Sequence, residues 1–259
     1  MGLISRWIGA VRGGLGFLTR LPVGYRDGDW TAFRTTPAAF PVVGLVAGVL
    51  AALPLLAVET LGGPTVALGY LLSVYAVTGI HHLDGIADLG DASVVHGDID
   101  RRREVLKDTT TGVGALLAVA IAIVALALGG LGLAGLSVRV AVGVAIGAET
   151  GTKLGMAAMA CFGRAAYDGM GKGFTDASAP GSFLSPLAIA VAAAAGVGAA
   201  LARPLPVAVA LAGAVAGIGL PWYWADRNLG GINGDIFGAA NEIGRVAGVH
   251  LGVIAWTLS

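Results

Sequence analysis

The chain has 259 residues, 56% of them hydrophobic and 12% charged, with 16 basic and 16 acidic side chains and a mean hydropathy of +0.82. A water-soluble domain carries about 25% charged residues, so that class is excluded, and zero net charge gives nucleic-acid binding no electrostatic support. The single cysteine, Cys161, excludes an intrachain disulfide scaffold, and the 43 glycines follow no collagen period.

Residues 1–34 hold no uninterrupted apolar core of the kind a cleaved signal peptide has. Ile4, Ile8, Val11 and Leu15 recur at helical spacing among Arg6 and Arg12. That pattern predicts an amphipathic helix, either lying in the membrane interface or packed on a bundle. A spanning helix needs roughly 20 mostly apolar residues. Seven stretches qualify in chain order: 35–58, 60–83, 113–138, 140–162, 184–202, 205–225 and 236–258. The fourth contains Glu149 and Lys153, and the last Glu242 and Arg245. The expected fold is all-α: one integral-membrane helix bundle over 1–259, with about seven spans. Small residues crowding the apolar runs suit close helix packing in lipid.

Basic residues orient the bundle. With a cytoplasmic N-terminus, Arg6, Arg12, Arg20, Arg26 and Arg34 fall inside. The 84–112, 163–183 and 226–235 connections add Arg101, Arg102, Arg103, Lys107, Arg164, Lys172 and Arg227. Only Arg139 and Arg203 fall outside, twelve basic residues against two. The three long polar connections then share the cytoplasmic face of a multi-pass cell-membrane protein.

Chemistry concentrates in those connections. In His81-His82-Leu-Asp84-Gly-Ile-Ala-Asp88-Leu-Gly-Asp91 the aspartates stand at i, i+4 and i+7, on one helix face. Three carboxylates there repel, and a hard divalent cation such as Mg²⁺ removes the conflict; the alternative is a solvated acidic helix end. The segment reads as a direct continuation of the second span. Lys107-Asp108-Thr-Thr-Thr-Gly112-Val-Gly114 opens the third span, where a helix N-terminus favours an anion. Arg101–Arg103 beside it read first as membrane anchors and second as phosphate-holding residues. Arg164 and the loop Gly169-Met-Gly171-Lys172-Gly173 could close over phosphate or serve as a plain linker. Glu149 and Lys153, at i, i+4, read first as an ion pair and second as a polar site wall. In Gly230-Gly231-Ile-Asn233-Gly-Asp235-x-x-Gly238-Ala-Ala-Asn241-Glu242, the carboxylates Asp235 and Glu242 share a face. They can join the first acidic face or bind substrate hydroxyls; alternatively Glu242 pairs with Arg245.

Together these segments resemble the cobalamin synthase family, the adenosylcobinamide-GDP ribazoletransferases. The resemblance rests on Thr19-Arg-Leu-Pro22, Phe40-Pro41-x-x-Gly44, His82-Leu-Asp84-Gly-Ile-Ala-Asp88-x-x-Asp91, Lys107-Asp108-x-x-x-Gly112-x-Gly114, Asp168-Gly-Met-Gly171 and Gly230-Gly231-Ile-Asn233-Gly234-Asp235-x-x-Gly238-Ala-x-Asn241-Glu242. Two stretches depart from the family pattern: its K-D-S-R-x-G reads Lys107-Asp-Thr-Thr-Thr-Gly112, and its G-G-x-T-G-D carries Asn233 for Thr. The resemblance implies that α-ribazole, or its 5′-phosphate, attacks adenosylcobinamide-GDP and releases GMP. It implies Mg²⁺ held by Asp84 and Asp88, with Asp91 as third ligand or base. Lys107 and Asp235 would complete the catalytic rim. His82, Asp108, Gly112, Gly114, Arg164, Gly231, Asn233, Asn241 and Glu242 would contact substrate. The implied partners are the two small-molecule substrates and the bilayer, with a homo-oligomer or other cobalamin-pathway enzymes left open. A CDP-alcohol phosphotransferase fits less well, because its D-x-x-D-G-x-x-A-R spacing is absent. A small-solute transporter would place its ionisable groups near the bilayer midplane.

Overall fold

The computed structural model describes residues 2–24, 26–108 and 110–259. The chain folds into α1 (Leu3–Leu18), α2 (Asp29–Arg34), α3 (Ala39–Ala51), α4 (Gly63–Thr78), α5 (His81–Val94), α6 (Ile99–Val105), α7 (Val113–Ala134), α8 (Val138–Phe162), α9 (Met170–Thr175), α10 (Leu184–Ala200), α11 (Pro204–Asn228) and α12 (Gly234–Thr257). A short 3₁₀ turn, Leu53–Ala57, prolongs α3, and another, Pro180–Phe183, precedes α10. Extended pairing among the described residues is limited to one parallel bridge, Ala165 to Ile232.

The centre of the bundle is α8 and α12, and α11 packs on both. α8 is buried along nearly its whole length. α3 covers its other side, where Gly44 lies directly against the Glu149–Thr150 backbone. α7 and α10 stand at the periphery and turn residues such as Leu116, Leu117, Ile121 and Val191 outward. An apolar outer surface on peripheral helices is what a lipid solvent selects.

Four helical segments are long and apolar enough to cross a membrane: Ala39–Ala57, Val113–Ala134, Pro180–Ala200 and Pro204–Asn228. Counting α4 with α5 as one broken span makes five. The expected number of seven is therefore not reached by length and apolarity. α8 and α12 are long enough, but each carries ionised groups, which the surrounding helices shield from lipid.

The continuity expected between the second span and the aspartate segment is also absent. α4 ends at Gly79, whose φ of +74° is a conformation that favours glycine, and α5 departs at 96°. α5 thus leaves the span and lies across the starts of α12 and α7. Two glycines permit this crossing. A side chain at Gly85 would run into the Asp235 carbonyl, and one at Gly238 into the His82 backbone.

α1 combines the two readings of the N-terminus. Its Gly9, Ala10, Gly14 and Leu18 are buried, mainly against α2 and α3, while Leu3, Ile4 and Ile8 are exposed. Arg12 fastens α1 to α2 through two bonds to Asp29, Nε to Oδ2 and Nη2 to Oδ1, both 2.6 Å. Beneath them Phe17, Trp30, Phe33, Phe40, Phe174 and Phe237 form a continuous aromatic cluster.

Candidate active site

The three long polar connections meet at one end of the bundle, and Arg103 ties them together. Its Nη2 donates to Ala166 O and Leu229 O, each at 2.7 Å, and its Nε to Leu229 O at 3.1 Å. The anchoring role expected of the whole Arg101–Arg103 run is corrected for this residue. Arg101 pairs with exposed Glu104 and Arg102 binds Gly97 O, but Arg103 faces inward. Three adjacent arginines carry no sequence signal for which one turns in. The Ala165–Ile232 bridge joins the 163–169 and 229–233 segments with Ala166 N to Ile232 O at 2.9 Å and Ile232 N to Arg164 O at 2.8 Å. Gly231 lies against Arg164 O, where a side chain has no room. Arg164 itself is exposed and donates to Gly230 O at 3.2 Å.

A cavity of about 500 Å³ opens between α5, α9, α12 and the end of α1. Its polar wall is His81, His82, Asp84 and Asp235, and its apolar wall includes Phe17, Met156, Met170, Phe174 and Phe237. Asp88, one turn beyond Asp84, is half-buried. Burial, with Asp235, Asp84 and Asp91 adding repulsion in that order, pushes its carboxyl up to about 7. Asp84 and Asp235 thus bring carboxylates from two helices into one cavity, and their charges reach Asp88 beside it.

Asn233 orients Asp235. Its Oδ1 caps α12 by accepting from Ile236 N at 2.9 Å, and its Nδ2 donates to Asp235 Oδ2 at 2.7 Å. The same Nδ2 lies 2.5 Å from Tyr167 Oη. Burial raises the Tyr167 phenol, and Lys107 Nζ stands 5.1 Å from its ring centroid. Lys107, Tyr167, Asn233 and Asp235 therefore form one chain of contacts into the mouth. The sequence reading missed Tyr167; no motif position marks it.

Asp91 has different partners. Its Oδ2 accepts from Gly112 N at 2.7 Å and its Oδ1 from Ala115 N at 2.8 Å, so the carboxylate caps α7 from a neighbouring helix. Gly112 and Gly114 leave it room, since a side chain at either would strike the carboxylate. These two glycines thus meet Asp91. Asp108 is exposed and accepts from Thr110 N at 3.0 Å; Thr109, in the same hydroxyl-rich turn, lies outside the described residues. Lys172 and Asp168 pair on the surface at 2.5 Å.

Asn241 and Glu242 lie deeper, nearly sealed from solvent. Lys153 Nζ binds Glu149 Oε2 at 3.1 Å and Asn241 Oδ1 at 2.6 Å. Arg245 donates to both Glu149 and Glu242. The two ion pairs anticipated separately are one buried network linking α8 to α12. It continues to His82, whose Nδ1 is 3.0 Å from Asn241 Nδ2.

Oxygen donors suit Mg²⁺, which commonly takes one or two carboxylates and completes its shell with water and substrate phosphate. No group of three His, Cys, Asp or Glu among the described residues is arranged to hold an ion. Asp84 and Asp88 nevertheless provide two carboxylates with no ion-pair partner among the described residues. The donor chemistry therefore fits a two-carboxylate site that substrate completes.

Residues 10–253 match the model of the cobalamin-5-phosphate synthase family. The chain is 45% identical to the adenosylcobinamide-GDP ribazoletransferase of Halorubrum lacusprofundi, over 96% of this chain and 98% of that one. It is 44% identical to the protein of the same name from Haloquadratum walsbyi, over 97% and 99%. With the Halobacterium salinarum protein of that name it shares 52% identity over 75% of this chain and 96% of the other. No solved structure matches the chain.

Proposed function

The chain belongs to the cobalamin-5-phosphate synthase family, and from that membership we propose that it joins α-ribazole, or its 5′-phosphate, to adenosylcobinamide-GDP with release of GMP. A ribose hydroxyl oxygen bonds to the phosphorus on the cobinamide side, the pyrophosphate P–O bond breaks, and the hydroxyl proton passes to a carboxylate. The observation that carries this reading is the meeting of Asp84 and Asp235 in one cavity between α5 and α12, with Asp88 one turn along α5 and within reach of their charges. Phosphoryl transfer asks the protein mainly to position the groups and offset charge.

Asp84 and Asp88 would hold Mg²⁺, which when bound supplies charge compensation for the pyrophosphate. Asp235, whose carboxylate accepts from Asn233, would take the hydroxyl proton. Lys107, exposed at the rim beside Tyr167, reaches toward phosphate. The aromatic wall of Phe17, Phe174 and Phe237 accepts the flat base of α-ribazole. The twelve-to-two bias of basic residues supports a cytoplasmic mouth in the cell membrane. A transporter would need available ionisable groups within the bundle, but Glu149, Lys153, Glu242 and Arg245 neutralise one another.

The test incubates the purified, detergent-solubilised protein with adenosylcobinamide-GDP, α-ribazole and Mg²⁺. Cobalamin detected by mass, with stoichiometric GMP, is the expected result, and EDTA abolishes it. No product overturns the reaction; undiminished product in EDTA overturns the metal.

A further inference from the structure

His82 is the point where the buried network reaches the cavity. It lines the same wall as Asp84 and Asp235, and its Nδ1 faces Asn241. Which ring nitrogen carries the proton follows from donors and acceptors alone. Lys153 Nζ is 2.6 Å from one end of the Asn241 amide. An ammonium only donates, so that end is the carbonyl oxygen, and the NH₂ end faces His82. The 3.2 Å approach of the same NH₂ to Glu242 Oε1 agrees, since a carboxylate only accepts. At 3.0 Å from an amide donor, His82 Nδ1 must be the bare nitrogen. The competing acceptor among the described residues, Glu242 Oε1, lies 3.9 Å away and already receives Arg245. The ring proton is therefore on Nε2, which has no hydrogen-bond partner among the described residues.

We infer that Lys153 and Asn241 hold His82 as its Nε2–H tautomer, so that the imidazole donates a hydrogen bond to a phosphate oxygen of the substrate rather than accepting the attacking hydroxyl's proton. The donor role rests on the reaction proposed above; the tautomer does not. Lys153 and Asn241 are positioning residues, and His82 is the group that touches substrate. The arrangement gives the buried charges a use at the mouth: Lys153 sits on α8, Asn241 on α12 and His82 on α5, so three helices set one proton.

Two measurements test this. The first is the ¹⁵N spectrum of histidine-labelled protein in nanodiscs without substrate, with His82 among the four histidines assigned by its loss in His82→Gln. The Nε2–H pattern is expected for the wild type, and Asn241→Asp, which turns an acceptor toward Nδ1, moves the proton to Nδ1. An Nδ1–H wild type overturns the inference whatever the enzyme does. The second is turnover. Gln places its amide donor near the position of Nε2 and Asn near that of Nδ1, so His82→Gln keeps kcat within about tenfold. His82→Asn and His82→Leu lose on the order of 10²–10³, the usual effect of removing one donor to a developing oxyanion. If His82→Gln, folded by its spectrum, is as inactive as His82→Leu, the donor role is overturned. A wild type that makes no cobalamin refutes the reaction itself, while the spectrum still decides the tautomer.

Discussion

Asp84, Asp88 and Asp91 look alike as letters, but their oxygens have different neighbours, and substitution separates them. Asp84→Asn and Asp88→Asn remove repulsion between carboxylates and break no hydrogen bond among the described residues, so unfolding of the metal-free protein is unchanged or occurs at higher temperature. Turnover falls by at least about 10²-fold, because compensation of the pyrophosphate charge amounts to several kcal/mol. Asp91→Ala does the reverse: losing the cap on Gly112 N and Ala115 N costs about 1 kcal/mol of stability. Its turnover falls only as far as α7 shifts. Thermal unfolding and steady-state rates on the three variants check this, and near-normal Mg²⁺-dependent activity in Asp84→Asn or Asp88→Asn would remove those residues as ligands. The i, i+4, i+7 spacing reveals a common helix face but not what faces it, so the hydrogen bonds of Asp91 to the start of α7 have no signal in the sequence. Tyr167 was illegible for the same reason, since its contacts come from residues far along the chain.

Between elements, the glycines of the two longest motifs explain each other. Gly85 and Gly238 stand in motifs far apart in the chain, and nothing in their spacing pairs them, because that requires α5 to lie across α12. The elbow at Gly79 was hidden by hydropathy, which continues through it. The α1–α2 contact gives a pH prediction. The Arg12 hydrogen bonds hold the Asp29 carboxyl below the usual carboxylate range. A carboxyl depressed in the folded state contributes stability above its unfolded value and loses it as pH falls through the folded one. Wild type should therefore unfold at higher temperature than Asp29→Asn at pH 7, and the gap should shrink below about pH 4. Paired melting curves across that range provide the measurement; a gap independent of pH would show that packing, not the ion pair, fastens α1.

At the scale of the whole molecule, the class and the gathering of polar connections were legible, because charge is so sparse that each ionised residue marks an end or a site. Arg203 stacking on Trp256, with 5.0 Å to the ring centroid, places the α10–α11 turn beside the C-terminus. Arg103 gathers the polar connections at the mouth. The number of spans was less legible, since α8 and α12 depend on neighbours for their apolar surroundings. Sidedness is tested by labelling single cysteines: Ser137→Cys should react with an impermeant reagent from outside and Gly97→Cys should not. The buried Cys161 contributes little background. The reverse pattern inverts the bundle and with it the cytoplasmic mouth.

The charges shared by α8 and α12 also impose an order on biogenesis. α8 is synthesised first, with Glu149 and Lys153 one turn apart, so it enters the bilayer carrying its own counter-ion. The arginine that completes the set follows 96 residues later. Until then α3 covers one side of α8, but the Asn241 and Arg245 partners of its polar stripe are missing, and a chain that stops short of α12 presents the side α12 would cover to lipid or to the proteases that survey nascent membrane proteins. α12 in turn finds the partner for Arg245 already in the membrane. α12 is thus the helix that commits the nascent chain to its fold, and truncation ahead of Gly234 should reduce its cellular half-life before it can be assayed for activity.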